Sequence, residues 1–443
     1  MSSSTMNRRK GGVARRAGLA VALALGALAA APAIASASSV SENTSTVTFT
    51  GTGSAENVTV TVSGSNYRFS QTSGTLTAST GCSSVNSTTA DCPIGSPPRS
   101  VLANLGDGDD GFNASTVHQG PFTINGEAGN DDIQGSQAKD TINGGSDNDT
   151  ISGADGNDIL FGGTDGDDDL NGGNGNDRLD GGPGDFIDDY DGGAGPVDRV
   201  VYGILPGFTY TCTAQPVVVT MDNSADDHSC ANSSANNDNV RDSVESITGS
   251  SLGDTITGSC FANTISGKGG NDTLNGDPAS GCSPNGGDFL GGGTGNDTLD
   301  GDGSGTAGTD TVTYTAASGN VCTISPPTGV NVTLDDVAND TDCVGGTDNV
   351  HKDIDKVYGS AQNDTINACG TTPATRTNCL TGTGAFGLTH GVSLFGRDGD
   401  DTLYGTDNSD FLAGETGTDT LDCKGGSDTT GSTTGDTVSN CNP

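Results

Sequence analysis

Residues 125–163 read NGEAGNDDIQGSQAKDTINGGSDNDTISGADGNDILFGG. Cut before Gly126, Gly135, Gly144 and Gly153, the stretch stacks into four lines of nine: GEAGNDDIQ, GSQAKDTIN, GGSDNDTIS and GADGNDILF. Asp holds the sixth place of every line and Ile or Leu the eighth. A carboxylate and one apolar side chain at fixed phase, with glycine between them, is the pattern that decides how this chain folds.

Composition alone points towards disorder. Of 443 residues only 30% are hydrophobic and 4% aromatic, Trp is absent, there are 72 glycines, and the formal charge is −40. Chains of that kind commonly fail to bury a core. A constant phase of Asp and Ile or Leu is not a property of such chains, so the repeat outweighs the composition. Glycine at the first, second and fourth places opens backbone angles closed to other residues. The first six residues can then make a tight turn with carbonyls aimed to one side. The last three, such as Thr-Ile-Asn, fit a short strand whose middle side chain points away from its neighbours. One apolar residue per strand is enough if strands stack in layers, because neighbouring repeats then build a thin continuous core.

Stacking brings the sixth-place carboxylates into line, where they repel. A hard divalent cation converts that repulsion into a binding site. Calcium accepts about six to eight oxygens at roughly 2.3–2.6 Å in irregular geometry, and stacked turns offer only carboxylate and carbonyl oxygen. Magnesium demands a tighter octahedron and keeps its waters, so it fits less well.

Around the repeats the chain divides into blocks. Residues 1–37 read as a secretory signal peptide: Arg8, Arg9, Lys10, Arg15 and Arg16 form a basic region, a short apolar run follows from Leu19, and A-x-A sites lie at 33–35 and 35–37. Arg15-Arg16 opens a poor match to a twin-arginine signal. Without this segment the charge becomes 12 − 57 = −45, a surface that repels nucleic acid and anionic lipid and attracts cations. No later apolar run is long enough to span a membrane. Residues 38–103 alternate apolar with Thr and Ser (Val47/Phe49, Val58/Val60/Val62), which predicts a small antiparallel β-domain. Repeat arrays follow at 104–198, 249–310 and 359–443, separated by two segments, 199–248 and 311–358, that repeat one another. PVVVTMDNSADD matches GVNVTLDDVAND, and DNVRDSVESITGS matches DNVHKDIDKVYGS. Their alternating valines predict β-hairpins packed on the side of the arrays. The twelve cysteines fall into neighbouring couples, 82/92, 212/230, 260/282, 322/343, 369/379 and 423/441. That even, local pattern in an exported chain predicts local disulfides. Zinc is disfavoured, as no C-x-x-C occurs and the four histidines are scattered.

The pattern G-G-x-G-x-D-x-U-x resembles the calcium-binding repeat of the repeats-in-toxin (RTX, hemolysin-type) family. The likeness covers most of residues 104–443, and the layout is similar to that of exported RTX-type proteins of high-GC Gram-positive bacteria. The resemblance implies an all-β fold, a right-handed parallel β-roll with two repeats per turn and calcium held between turns. Carried over by position, it makes metal ligands of Asp110, Asp131, Asp140, Asp149, Asp158, Asp168, Asp177, Asp254, Asp272, Asp288, Asp297, Asp364, Asp401, Asp410, Asp419 and Asp428. Asn263 takes the sixth place of one repeat, so that site is expected to be weaker. Lys139 and Lys268 sit in turns where a cationic side chain could replace an ion. Many members leave the cell by type I secretion without a cleaved leader, a route at odds with residues 1–37.

Catalytic motifs are weak. GSSLG (Gly249–Gly253) matches G-x-S-x-G but lies inside a nonapeptide, without strand–elbow–helix context. GDGDDG (Gly106–Gly111) carries three Asp that would repel a pyrophosphate. Asp165, Asp167 and Asp169 imitate an EF-hand start, but Leu170 stands where that loop needs Gly. The reading is a secreted, non-enzymatic calcium-binding repeat protein. Its rivals are a calcium-stiffened adhesive or structural protein bound to cell-surface or matrix polymers, and a carbohydrate-active β-helix using acids such as Asp242 or Glu245.

Overall fold

Thr-Ile-Asn and its equivalents do form strands, and the strands pair in parallel with a step of eighteen residues. Ile124 lies beside Ile142, and Ile142 beside Leu160. On the opposite side Ile133 lies beside Ile151. Two nonapeptides therefore make one coil, each contributing a strand to one of two ladders. The computed structural model describes residues 37–182, 188–202, 216–224, 227, 238–278, 286–301, 308–314, 329–342, 346–368, 391–431 and 433–441. These contain no α-helix. The fold is a parallel β-roll, as the resemblance implied, and residues 37–443 form one compact unit.

One ladder runs unbroken through a 17-stranded sheet, while the other side consists of a 10-stranded and an 11-stranded sheet. The eighth-place side chains of both, such as Ile124, Ile133, Ile142, Ile151, Leu160 and Leu170, are buried and belong to one apolar cluster. The residues on either side are mostly polar and more exposed, as Thr150 and Ser152 are around Ile151, the alternation that a half-buried strand requires; Phe161 beside Leu160 is buried as well. A file of apolar side chains from each ladder, mostly Ile, Leu and Val with Phe112, Tyr190 and others among them, thus makes the apolar interior of the roll.

Glycine serves two different needs in the turns. At the first place its φ is ordinary and the constraint is space: a Cβ on Gly144 would lie 2.1 Å from Oδ2 of Asp149 and 2.5 Å from the carbonyl oxygen of Gly162 in the next coil. At the second and fourth places the backbone is left-handed, as at Gly145 (φ 130°) and Gly156 (φ 148°). The turn imposes this even on Glu127 (φ 80°), Lys268 (φ 73°) and Arg397 (φ 84°), each at a cost of about 1 kcal/mol. The freedom expected of all three glycine places is thus required at only two.

The segment before the repeats is antiparallel in itself, Ser38–Glu42 with Thr46–Thr52 and Asn57–Ser63 with Asn66–Gln71. It is also continuous with the roll. Thr46–Thr52 pairs in parallel with Ser100–Asp107, and Asn57–Ser63 with Gly111–Asn113. The segment forms the first coil and covers the end of the stack, where exposed strand edges would otherwise invite pairing. Cys82 and Cys92 are bonded within it, and Cys423 and Cys441 at the other end. Cys260 is disulfide-bonded. Cys282, Cys212, Cys230, Cys322, Cys343, Cys369 and Cys379 lie outside the described residues, as does the leader.

The repeated segments do not pack on the flank of the arrays, as the sequence predicted; they are inserted into one ladder. In the second copy the spatial order is Thr298–Asp300, Thr347–Val350, Asp340–Thr341, Asn331–Thr333, Thr365–Asn367. The outer contacts are parallel and the two inner ones antiparallel. The first copy follows the same path through an antiparallel bridge between Asp227 and Asp238. A buried carboxylate holds each insertion: Asp340 accepts the amides of Thr333 and Val350, and Asp227 those of Thr220 and Val240. The 17-stranded ladder passes both insertions without interruption, pairing Arg199 with Ser246 and Thr311 with Lys356.

Because the interior is one side chain thick, a single truncation should be felt strongly. Ile151→Ala, at 1% exposure, should cost about 2–5 kcal/mol. Val438→Ala, at 41% exposure in the last coil, should change stability by under about 0.5 kcal/mol. Denaturant melts of the two variants check this, and equal effects would contradict a continuous core.

Candidate metal sites on the turns

The turn residue before each strand makes a contact that ordinary parallel ladders lack. The backbone N–H of Asp131 donates to Oδ1 of Asp149 in the next coil at 2.9 Å, and that of Asp149 to Oδ1 of Asp168 at 2.9 Å. The residue after each Asp resumes the normal ladder, since the amide of Thr150 donates to the carbonyl of Asp131. The carboxylate thus adds a side-chain rung at the mouth of the strand, a charge-assisted bond of the stronger kind.

All sixteen Asp residues expected as ligands belong to such rows, on the two edges of the roll. One edge carries Asp110–Asp131–Asp149–Asp168, then Asp254–Asp272–Asp297, then Asp364–Asp401–Asp419. The other carries Asp140–Asp158–Asp177, then Asp288, then Asp410–Asp428. The two edges are separate, so Asp131 and Asp140, neighbours in sequence, lie in different rows.

Sequence reading missed further members of the rows. Glu56, Asp188, Asp198, Asp238, Glu245, Asp310, Asp348, Asp355 and Asp436 occupy equivalent positions. Their turns are too long or too irregular for the nine-residue frame. The signal that would have found them is shorter: an acid, any residue, then an apolar one, as in Asp198-Arg199-Val200 or Glu245-Ser246-Ile247.

The second carboxylate oxygen shows what the rows are for. Oδ2 of Asp110, Asp131, Asp149, Asp158, Asp177, Asp198, Asp272, Asp297, Asp401, Asp419 and Asp428 is buried and meets no hydrogen-bond donor of the chain. An asparagine would supply the inter-coil rung equally well and carry no charge. Burying an ionised carboxylate without a partner costs several kcal/mol. Accordingly, burial pushes acids of the rows far above the usual carboxylate range: Asp131 to about 6, Asp149 and Asp158 to about 8, and Asp168 to about 9. Neighbouring acids add to the rise, Asp131, Asp147 and Asp165 in the case of Asp149. A row of buried, mutually repelling, oxygen-only donors is complementary to a hard cation.

The family model of the RTX calcium-binding nonapeptide repeat, built of four copies, matches residues 134–165, 162–196, 248–278, 352–368 and 394–429. The chain carries RTX-type calcium-binding repeats. No curated protein matches it. RTX nonapeptide repeats bind Ca2+, and the orphaned Oδ2 atoms fit that ion. Asp110, Asp131, Asp288 and Asp297 lie beyond the matched segments, yet occupy the same rows of the RTX roll. The serine at the centre of GSSLG, Ser251, lies on an exposed turn of the roll.

A further cluster lies outside the rows. His351 Nδ1 is 3.1 Å from Oδ2 of Asp300, and Asp353 joins them. Its counterpart in the first copy is Asp191, held by Arg241 at 2.7 Å and by the Ser243 hydroxyl at 2.8 Å. Both copies thus place a basic side chain against the same strand-end carboxylate. The hydrogen bond to Asp300 raises the pKa of His351.

The raised carboxyl values set the pH dependence of the metal-free roll. An acid whose folded pKa exceeds its unfolded value of 3.8 favours folding while protonated. That contribution is complete below the unfolded value and is lost as pH rises through the folded values, about 6 for Asp131 to about 9 for Asp168. In chelator, the chain should therefore hold more β-structure near pH 4 than near pH 9. Far-UV circular dichroism checks this, and the reverse order would contradict it.

Proposed function

We propose that this is an exported, non-enzymatic protein whose turns bind calcium between successive coils and whose roll folds on binding it. The orphaned Oδ2 atoms carry the reading, and the spacing of the coils supports it. Paired strands lie about 4.8 Å apart. Two oxygens on opposite sides of a calcium ion are separated by roughly twice 2.4 Å, which is the same length. Around magnesium the separation is about 4.2 Å, shorter than a β-ladder permits. Ligand carboxylates would come from consecutive members of a row, such as Asp131 with Asp149, Asp158 with Asp177, Asp272 with Asp297 and Asp401 with Asp419. Turn carbonyls would complete each site.

Coupling of folding to the ion follows from charge. About −45 of net charge is concentrated in turns that stacking draws together, against a core of one apolar side chain per repeat. An ion that binds only the folded form stabilises it by about 2.7 kcal/mol per site at a hundredfold excess. Adjacent sites act together, because each coil is the platform for the next. Export is supported by the leader-like residues 1–37 and by the disulfides. Catalysis by the acids of the insertions is disfavoured, because Glu245 already accepts the amide of Asp198 at 2.7 Å as a member of a row.

The test is circular dichroism with calorimetry on residues 38–443. In chelator at neutral pH the arrays should be largely unfolded, gaining β-structure cooperatively as calcium rises towards about 10⁻³ M. Magnesium at equal concentration should do much less. Asp149→Ala should raise the calcium midpoint roughly several-fold, each site contributing as above. Asp242→Ala should leave the midpoint where it is. Full β-structure in chelator, unaltered by calcium, would refute the proposal.

A further inference from the structure

The rows resolve into six stacks among the described residues, and the first turn of each is built differently from the interior turns that follow. The stacks begin at Glu56, Asp140, Asp254, Asn263, Asp364 and Asp410. Four residues before each stands a hydroxyl side chain: Thr52, Ser136, Ser250, Ser259, Ser360 and Thr406. The amide of Ser136 donates to Oδ2 of Asp140 at 2.5 Å and its hydroxyl to Oδ1 at 2.9 Å. Ser250 does the same to Asp254 at 2.6 and 2.8 Å, and Ser360 to Asp364 at 2.7 and 2.7 Å. Thr406 holds Asp410 in the same way at 2.5 and 2.9 Å. Thr52 donates to Glu56 through both its amide and its hydroxyl. Each serine or threonine of the five nonapeptide starts also accepts the amide two residues on, as Ser250 does from Leu252 at 3.0 Å. These turns are closed upon themselves.

Interior turns lack this closure. The same place holds Glu127, Gly145, Ala154, Lys268, Arg397 or Glu415, all left-handed with φ between 69° and 130°. None of the six hydroxyl residues has a positive φ. The acid of each of these six interior turns has an orphaned Oδ2, whereas none of the six starting residues has one. Asn263 supplies a separate observation. The one nonapeptide without a sixth-place acid in the described arrays is a starting turn, and Ser259 donates to its Oδ1 at 2.7 Å. A starting turn therefore needs no negative charge.

We propose that each stack begins on a cation-free turn, in which the serine or threonine amide and hydroxyl do for the carboxylate what calcium does in the turns that follow. This rests on the proposed calcium sites and divides the sixteen expected ligands: Asp140, Asp254, Asp364 and Asp410 are structural, and the first ion of the Asp140 stack lies between Asp158 and Asp177. The reason lies in the coil before. It presents only the amide of Phe122, Val217, Val330 or Val392 to the starting acid, with no carboxylate to share an ion. The starting turn can form before calcium arrives and offers the next coil a finished platform.

The experiment compares two quadruple variants of residues 38–443 by counting bound calcium after equilibrium dialysis. Asp140→Asn, Asp254→Asn, Asp364→Asn and Asp410→Asn together should leave the number of ions equal to that of the unaltered chain. Asp149→Asn, Asp177→Asn, Asp297→Asn and Asp419→Asn together should lower it. Loss of ions from the first variant would overturn the proposal. If the unaltered chain binds none, or the second variant loses none, the calcium reading itself fails, which is a different result. Should either variant not fold, calcium-loaded crystals of the unaltered chain decide by anomalous scattering. Density between Asp158 and Asp177 with none against Asp140, Asp254, Asp364 or Asp410 is expected, and density against any of those four would overturn it.

Discussion

The structure depends on one hydrogen bond repeated along each edge: the amide of a turn acid donating to a carboxylate oxygen of the turn one coil later. It fixes the register of successive coils at the mouth of each strand. It also leaves the other carboxylate oxygen buried and turned into the gap between turns. A neutral side chain could form the rung, so the charge has a second purpose, and the roll is incomplete until that charge is balanced. Protons, cations and hydroxyl donors are the available means, and the chain uses different ones at different places.

Hydroxyl donors appear where a stack is interrupted. Serine and threonine close the starting turns. Beside the two insertions, tyrosines approach the second oxygen of the row acids, Tyr190 with Asp188 at 3.4 Å and Tyr314 with Asp348 at 3.3 Å. Near the last coil Thr433 donates to Asp436 through its amide and hydroxyl. Most orphaned oxygens are left inside stacks, where an acid has acidic neighbours in adjacent coils, as Asp131 does in Asp110 and Asp149; Asp428, at the end of its stack, is an exception. Neutral donors thus mark boundaries, and the charge-demanding turns lie between them.

Much of this was legible in the sequence because two periodic demands, one apolar side chain and one acid per nine residues, leave a fixed phase at Ile133, Ile142 and Ile151 and at Asp131, Asp140 and Asp149. The parallel roll and the rows of acids follow from that phase. The place of the insertions was not legible. Alternating valines such as Val217/Val219 announce a strand, but the partner strand is chosen by pairing across long separations, as between Val219 and Ile256. The division of the turns was also hidden. Ser136 and Gly145 occupy the same second place, and only the backbone shows that one closes on the acid while the other turns left-handed. Asp188 and Asp198 fall outside a frame of nine, because the structure requires only the acid and the apolar residue two places on.

That shorter unit explains how so regular a fold tolerates irregular spacing. Successive strands of the long ladder are eighteen residues apart at Ile142 and Leu160, yet Thr264 pairs with Phe289 and Lys356 with Ser393. Each coil within a stack delivers an acid, or Asn263 in one case, to the row and an apolar side chain to the core, in that order and two residues apart. The chain between deliveries is held by neither and can lengthen at little entropic cost, since closing a longer loop adds only about 0.6 kcal/mol per doubling. An insertion long enough to form strands of its own can then enter one ladder, provided that its last residues return an acid to the row. Asp348-Asn349-Val350 does so for the second insertion and Asp238-Asn239-Val240 for the first. The roll is therefore a frame defined at two points per coil, and its length and its loops vary independently of the rule that holds it together.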